Sequence, residues 1–179
     1  MKLINHLKDT EYEFMGIKEV REIARSVMIN EKNEVALLKI KGEDEDFGKR
    51  DYYELPGGGV ENRETLEETV KREMQEETGY EVEVIAPIGK VIDYYNAIYR
   101  ENHNHYFLTK AIKYVGTNYT DLEKRLVATL IFVNIDKAIE LYENEMRYKI
   151  GRLVQNRELP ILKAAKEMME PTINKSSKK

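Results

Sequence analysis

The segment LPGGGVENRETLEETVKREMQEETGY, residues 55–80, constrains the fold more than any other part of the chain. Three consecutive glycines lead into a run of residues with helical spacing. Thr65 and Glu68 have the T-x-x-E spacing of a capping box, and Gly79 can adopt the left-handed conformation that ends a helix. These signals predict a helix over residues 66–78.

One face of this helix combines apolar and acidic side chains. Its apolar positions are Leu66, Val70 and Met74. At about 100° per residue, Glu73 and Glu77 project beside this apolar stripe, and Glu76 lies at its edge. Carboxylates beside apolar surface take up protons or bind cations, because burial and mutual repulsion disfavour their ionised forms. Magnesium prefers oxygen ligands of this kind, and glycines allow the backbone to approach a metal or a pyrophosphate closely.

Composition limits the protein classes that remain. A chain of 179 residues that is 41% hydrophobic fits one domain, and we predict a single domain over 1–170 with a disordered basic tail over 171–179. Because cysteine is absent, disulfides and thiolate metal sites are excluded, which leaves carboxylates and three histidines as ligands. The net charge of −4 argues against a nucleic-acid partner.

The apolar residues of the chain do not suggest a membrane location. We find no run of about 18 apolar residues, and the N-terminal sequence MKLINHLKDTEYEF lacks the apolar region of a signal peptide. The sequence therefore predicts a cytoplasmic protein without a membrane partner.

The flanking segments alternate between strand and helix patterns. Apolar runs over 23–29 and 34–40 predict a hairpin with a turn at 30–33, and the charged residues 41–50 predict a solvated loop before a short strand at 52–55. Further strand-like runs cover 81–85, 89–99, 105–114 and 125–135. Asp136 can cap a following helix, and a second amphipathic pattern covers 159–169. We expect an α/β fold in which helices flank a mixed sheet.

The spacing of the glutamate helix resembles a known motif. From Gly58 the chain reads glycine, five residues, Glu64, seven residues, Arg72-Glu73-Met74, one residue, Glu76-Glu77, one residue and Gly79-Tyr80. This pattern resembles the Nudix box at every fixed position, with Tyr80 where the family usually has an aliphatic residue. The resemblance implies an α/β/α sandwich over roughly residues 20–165.

The resemblance to Nudix hydrolases also implies a reaction. It implies Mg²⁺-dependent hydrolysis of a pyrophosphate bond in a nucleoside diphosphate linked to another moiety, such as a nucleoside triphosphate or a nucleotide sugar, with Mn²⁺ as a substitute ion. By position, the metal ligands would be Glu73, Glu76, Glu77 and the carbonyl of Gly58. Glu73 could instead act as the base. Arg72 would orient the carboxylates, Glu64 would brace the loop or join the outer metal shell, and Gly79 would end the helix.

Residues outside the box have weaker signals. Nudix enzymes often place a further carboxylate near the metals, and we select Glu123 over Glu101 and Asp121 because of its position in a predicted loop. Arg21 and Arg25 lie on an early strand from which they could reach a phosphate, and we select Arg25 as a substrate-binding residue.

Aromatic residues could form a platform for the substrate. The candidates are Tyr94, Tyr95 and Tyr99, of which we select Tyr94 and Tyr95. His103 and His105 alternate along a strand without a third ligand of matching spacing, which favours a structural or surface role.

Two other functions remain open. A nucleotide-sensing module could keep the fold without turnover, and an RNA 5′-end pyrophosphohydrolase would act on nucleic acid. The intact box favours catalysis, and the acidic net charge of −4 weakens the RNA hypothesis. We expect a small-molecule nucleotide as the partner, and a homodimer remains open.

Overall fold

The computed structural model describes residues 1–145 and 149–176. Its strands are β1 (Leu3–His6), β2 (Glu19–Ile29), β3 (Val35–Asp44), β4 (Gly48–Glu54), β5 (Gly57–Gly59), β6 (Tyr80–Tyr95), β7 (Arg100–Tyr114) and β8 (Val127–Val133). Its α-helices are α1 (Leu66–Glu73), α2 (Asp121–Leu126), α3 (Ile135–Glu145) and α4 (Lys149–Ser176). A π-helix over Met74–Thr78 follows α1 directly, and a 3₁₀ turn over Asn96–Ile98 separates β6 from β7.

The strands form one mixed sheet in the order β1-β6-β7-β2-β3-β4, with β5 paired to β2 and β8 paired to β3. The β1–β6 and β2–β7 pairs are parallel, and the other pairs are antiparallel. This sheet and its flanking helices confirm the expected α/β fold.

The β2 and β3 strands separate where the three glycines enter the sheet. We call these residues, Gly57–Gly59 of β5, the glycine loop. The two strands are in register at Ile29 and Val35, next to their turn. Beyond that point β2 pairs with β5 at residues 23–25, whereas β3 pairs with β8. The opening therefore allows the glycines of β5 to lie against β2.

Two apolar cores lie on opposite faces of the sheet. Ala24 and Met28 of β2 pack with Val70 and Met74 on one face, which α1 covers. Side chains alternate along a strand, so Val27 and Ile29 face the other way, into a larger core. Residues of α3 and α4 fill this second core, which gives the sandwich its third layer.

Several elements differ from the sequence predictions. Residues 41–44 and 48–50 continue β3 and β4, so the predicted loop is reduced to a turn. Backbone pairing accepts these charged residues because some point to water, whereas Asp44 and Arg50 form an ion pair across the two strands. The predicted strand at 81–85 and residues 89–95 of the predicted strand at 89–99 are parts of β6, which runs through Pro87 with irregularities in its register, whereas Asn96–Ile98 form the 3₁₀ turn. The N-terminal segment contributes β1, which the sequence pattern did not indicate.

The helices in the second half also begin and end at other residues than expected. The side-chain oxygen of Asn134 accepts a hydrogen bond from the amide of Lys137 at 2.7 Å, so Asn134 rather than Asp136 caps α3. Helix α4 begins ten residues before the predicted start at 159 and includes 171–176, where we expected a disordered tail. Residues 177–179 of that tail lie outside the described residues. Within the described ranges, the helices are too short or too polar to cross a membrane.

Candidate active site

The glutamate helix is held at both ends by local hydrogen bonds. The Thr65 hydroxyl accepts from the amide of Glu68 at 3.2 Å, and the Glu68 carboxylate accepts from the amide of Thr65 at 2.8 Å, which completes the capping box. Gly79 ends the helix with a φ of 78°, in the left-handed region that favours glycine. Between them, the change from α1 to the π-helix inserts a wider turn that carries Glu76 and Glu77.

The box carboxylates differ in their burial. Glu73 is 7% exposed and Glu77 is 9% exposed, whereas Glu76 is half-buried at the rim. Burial raises the pKa of Glu77 well above its ordinary value, and the nearby Glu73 charge raises it further. Burial also raises the pKa of Glu73, although Arg72 opposes this effect. The site therefore holds two carboxylates that gain from a neighbouring cation.

The guanidinium of Arg72 connects several parts of the box. Its Nε is 2.8 Å from Oε1 of Glu64, and its Nη1 is 2.7 Å from Oε1 of Glu73 and 2.9 Å from Oε2 of Glu76. Its Nη2 donates to the carbonyl of Gly59 at 2.9 Å. The hydrogen bonds from Arg72 lower the pKa of Glu64 to about 2. Arg72 thus ties the glycine loop and the loop acid Glu64 to the helix carboxylates.

The glycine loop lies directly against the carboxylates. The amide of Gly57 donates to Oε2 of Glu77 at 2.6 Å. Gly57 has a φ of 142°, and a Cβ on this residue would overlap the backbone of β2, so the position requires glycine. A Cβ on Gly58 would overlap the carboxylate of Glu73. A side chain at Gly58 would therefore fill the space in front of Glu73, whereas one at Gly57 would clash with β2.

These residues fit a hard divalent cation. Carboxylates and the carbonyl of Gly58 are the oxygen donors that Mg²⁺ prefers, and a cation would offset the effect of burial, which raises the pKa of Glu73 and Glu77. In residues 1–145 and 149–176, however, no three acidic or histidine side chains converge into a complete metal site. The hydrogen bonds explain the separation, because Arg72 takes one oxygen each from Glu73 and Glu76 while Gly57 takes one from Glu77.

Glu123 lies closer to the box than the other acids considered outside it. It lines a cavity of about 130 Å³ together with Glu77 and Arg25, and its charge contributes to the raised pKa of Glu73. Its carboxylate also accepts from the amide of Thr120 at 2.6 Å, in a capping box at the start of α2. Glu123 is therefore a helix residue, not the loop residue that the sequence suggested.

The other two acids have different partners. Glu101 lies 2.8 Å from Nε2 of His103 on β7, and Asp121 pairs with Lys124 at 3.2 Å on the surface of α2. His103 also lies 2.8 Å from Glu22, whose other oxygen is 2.6 Å from Nε2 of His105. Hydrogen bonds to the carboxylates of Glu22 and Glu101 thus account for the positions of both histidines.

Arg25 is buried and occupied by neighbouring protein groups. Its Nη1 lies 2.9 Å from Oε1 of Glu54 and donates to the carbonyls of Leu55 at 3.1 Å and Gly57 at 3.3 Å. Burial and Arg157 both act to lower the pKa of Arg25, but Glu54 and other acids outweigh them and keep it protonated. Arg25 lines the 130 Å³ cavity, but its hydrogen bonds stabilise the glycine loop.

Arg21 is the less constrained of the two early arginines. Its guanidinium lies where a Cβ on Gly59 would be, and the charge of Glu73 acts on its pKa. Burial and the nearby Arg100 lower the pKa of Arg21. Among the described residues, Arg21 has neither a hydrogen bond nor an ion pair from its side chain.

The tyrosines selected from the sequence lie away from the box. Tyr94 stacks on His6 with ring centroids 5.7 Å apart, beside a separate cavity of about 480 Å³. The Tyr95 hydroxyl accepts from Nη1 of Arg157 at 2.6 Å, in the core network. Tyr99 contacts Lys18, whose Nζ is 3.9 Å from the ring centroid. These contacts place none of the three against the box carboxylates, because Tyr94 and Tyr95 lie at the end of β6, whereas it is Val82, near the start of β6, that packs against α1.

A charged pair on α4 was not among the residues predicted from the sequence. Arg157 and Glu158 are both fully buried, and they contact the segment that leads into the glycine loop. Their burial could have been inferred from their spacing. Each of the two residues has an apolar residue four positions before it and another four positions after it, so both lie on the buried face of the helix. Those flanking residues are Leu153, Val154, Ile161 and Leu162.

Comparisons with known proteins identify the fold and the family of the chain. None of the curated proteins compared with the chain matches it. Solved structures with the same fold include a MutT protein from Methanosarcina mazei Go1, which is 20% identical with a TM-score of 0.60, over 84% of this chain and 96% of that one. A UDP-X diphosphatase is 16% identical with a TM-score of 0.57, over 89% of this chain and 68% of that one.

A third solved structure, an ADP-ribose pyrophosphatase from Streptococcus suis 89-1591, is 14% identical with a TM-score of 0.51, over 81% of this chain and 91% of that one. At such identities these likenesses establish the fold alone. A family model described as the NUDIX domain matches residues 20–152, which is more than half of the chain. The resemblance seen in the box is thereby confirmed, and the chain belongs to the Nudix hydrolase family.

Proposed function

We propose that this protein is a pyrophosphohydrolase that cleaves a nucleoside diphosphate linked to another moiety. One observation carries this proposal: Glu73 and Glu77 are buried side by side beneath a glycine loop, with pKa values raised by burial. Such an arrangement favours binding of a divalent cation over a purely structural role, because among the described residues Arg72 pairs with Glu73 but not with Glu77, and the charges of the two neighbouring carboxylates oppose each other.

The residues have distinct roles in this proposal. Glu73, Glu76, Glu77 and the Gly58 carbonyl would hold Mg²⁺, with Mn²⁺ as a substitute. When bound, such an ion polarises phosphoryl oxygens and lowers the pKa of coordinated water. Arg72 keeps the carboxylates oriented through its hydrogen bonds to Glu73 and Glu76.

Glu123 is the candidate for a general base outside the box. Its position beside Glu77 in the 130 Å³ cavity supports this role. A carboxylate there can accept the proton of an attacking water, provided that its capping bond to Thr120 can loosen.

Arg21 is our candidate for contact with the anionic part of the substrate, in place of the Arg25 predicted from the sequence. Its guanidinium lies on the glycine loop near Glu73, whereas Arg25 is occupied by Glu54 and backbone carbonyls. A planar guanidinium binds phosphate oxygens well. The names of two solved relatives, a UDP-X diphosphatase and an ADP-ribose pyrophosphatase, support testing UDP-linked compounds and ADP-ribose first, together with nucleoside triphosphates.

The experiment is a hydrolysis screen in Mg²⁺ over nucleoside triphosphates, nucleotide sugars, ADP-ribose, dinucleoside polyphosphates and triphosphorylated RNA. The screen compares the wild type with Glu77→Gln, which keeps side-chain volume but removes the charge. Metal-dependent release of a nucleotide product by the wild type alone is expected. Binding of nucleotides without hydrolysis of any of them would favour a sensing module, and hydrolysis of RNA alone would favour the 5′-end activity.

A further inference from the structure

Arg157 and Glu158 form a fully buried ion pair on α4. Both side chains have 0% exposure, and Nη2 of Arg157 lies 2.6 Å from Oε1 of Glu158. Removing two charges from water is costly, and apolar side chains would serve helix packing as well or better. The pair also lies beyond residues 20–152, the part of the chain that the family model matches. Its presence in the core therefore suggests a role other than packing.

The pair contacts the residues directly before the glycine loop. Oε2 of Glu158 accepts from the amide of Leu55 at 2.8 Å, and it also accepts from the Tyr142 hydroxyl at 2.6 Å. Nη2 of Arg157 lies 2.9 Å from Oε1 of Glu54. Helix α4 thus fixes the side chain of Glu54, the last residue of β4, and the backbone amide of Leu55, which lies between β4 and β5.

A second arginine completes the contacts from the opposite side. Arg25 Nη1 lies 2.9 Å from the same Oε1 atom of Glu54, and it donates to the carbonyls of Leu55 and Gly57. Burial opposes ionisation of Glu54, but Arg25 and Arg157 outweigh it and hold the pKa of Glu54 below its ordinary value. Glu54 is therefore an anion shared by two cations, and residues 54–57 are held on both sides.

This chain of contacts ends on a box glutamate. The amide of Gly57, the last residue held in this way, donates to Oε2 of Glu77 at 2.6 Å. A displacement of the loop by a fraction of an ångström would therefore change the position of Glu77 and of the Gly58 carbonyl together. In active sites, displacements of about 1 Å can reduce rates by roughly a hundredfold.

We propose that Arg157 and Glu158 are positioning residues, which place the glycine loop against Glu77 from the C-terminal helix. They act through Glu54 and the Leu55 amide and do not contact the substrate. The effect on catalysis rests on the proposed function, but the effect on the loop and on metal affinity does not require turnover.

Two variants test the proposal. Glu158→Gln keeps the shape of the side chain but replaces a charged acceptor of the Leu55 amide with a neutral one. Tyr142→Phe removes only the Tyr142 hydroxyl, which donates to Glu158. It therefore replaces Glu158→Gln as the test if Glu158→Gln does not fold. The matched control is Lys166→Gln, which breaks the 2.7 Å pair with Asp136 on the exposed side of the same helix.

Three measurements are made on protein that circular dichroism shows to be folded at the assay temperature. Amide hydrogen exchange at Leu55 and Gly57 reports the loop, Mn²⁺ affinity by paramagnetic resonance without substrate reports the site, and kcat with KM reports catalysis. We expect faster exchange at both amides, Mn²⁺ binding weakened by roughly tenfold or more, and kcat reduced more than KM is changed. Lys166→Gln should match the wild type in all three.

A folded Glu158→Gln protein with wild-type exchange at Leu55 and wild-type Mn²⁺ affinity would overturn the proposal, and so would the same result in Tyr142→Phe if only that variant folds. A wild type that binds no Mn²⁺ would overturn it as well. A wild type that binds Mn²⁺ but hydrolyses nothing would instead refute the proposed function, while exchange and Mn²⁺ affinity in the variants would still decide the positioning role.

Discussion

The amide of Gly57 donates a 2.6 Å hydrogen bond to Oε2 of Glu77, although the two residues are twenty positions apart in the chain. The bond joins the glycine loop to the wide turn of the helix. It also partly offsets the effect of burial on Glu77, whose pKa nevertheless remains well above its ordinary value. This contact motivates predictions about the charge at Glu77 and about the space in front of it.

Glu77→Gln should retain the fold and lose most metal-dependent turnover, because a metal ligand becomes neutral without a change of volume. The amide oxygen of Gln can still accept from Gly57. Without metal, the variant should unfold at a temperature no lower than the wild type, since a disfavoured buried charge is removed. Thermal unfolding and initial rates check this, and a wild-type rate in Glu77→Gln would show that the metal-site assignment is wrong.

The raised pKa of Glu77 predicts how the stability of the metal-free protein depends on pH. Because the pKa of Glu77 is raised on folding, the native state binds its proton more tightly than the unfolded state. Its contribution to the free energy of unfolding should therefore fall as pH rises above the unfolded pKa of about 4.5 and through the raised native value. Chemical denaturation of the wild type and Glu77→Gln between about pH 5 and 8 measures the difference. A difference that is constant over this range would contradict the raised pKa.

Gly58→Ala should reduce activity sharply, and Gly58→Val should reduce it further, because a Cβ at this position overlaps the Glu73 carboxylate. The matched control is Gly151→Ala, where the added Cβ would be 3.4 Å from the Cβ of Tyr52 and where helix propensity favours alanine by about 1 kcal/mol. Mg²⁺ titrations of activity compare the variants. Normal Mg²⁺ dependence in Gly58→Ala would remove this glycine from the site.

Glu123→Gln should lower kcat by about 10²–10⁴-fold with little change in Mg²⁺ affinity, as expected for loss of a general base. Glutamine can keep the capping bond to Thr120, since capping boxes accept Glu or Gln, so the change isolates the charge. Glu101→Gln is the comparison, because Glu101 is paired with His103. A loss of activity in Glu101→Gln alone would assign the role of general base to Glu101. Full activity in both variants would mean that the box glutamates suffice for catalysis.

The two early arginines should respond differently to truncation. Arg21→Ala should raise KM by roughly tenfold to a hundredfold, the loss expected for a hydrogen bond to a charged group, without lowering stability. Arg25→Ala should lower the free energy of unfolding by about 3–5 kcal/mol, because it leaves Glu54 and two buried carbonyls without this donor. Kinetics and chemical denaturation of both variants separate the roles. The reverse pattern would restore Arg25 as the substrate-binding residue.

Local sequence signals determined the glutamate helix and the family. The cap at Thr65, the stop at Gly79 and the burial of Val70 and Met74 agree with the spacing of residues, because helix ends and helix faces depend on neighbours within a few positions. The inward direction of Glu73 and Glu77 follows from the same periodicity. The box itself was recognisable for this reason, since all of its residues lie on one loop and one helix.

Tertiary structure decided which residues outside the box lie near it. Arg21 and Arg25 look equivalent on their strand, but Arg25 meets Glu54 while Arg21 meets Gly59, and no local pattern encodes those partners. The start of β6 packs against α1 through Val82, but Tyr94 lies at the far end of the same strand, where it stacks on His6. The contact between Glu158 and the Leu55 amide joins residues 103 positions apart, so only the packing of α4 against the sheet could create it.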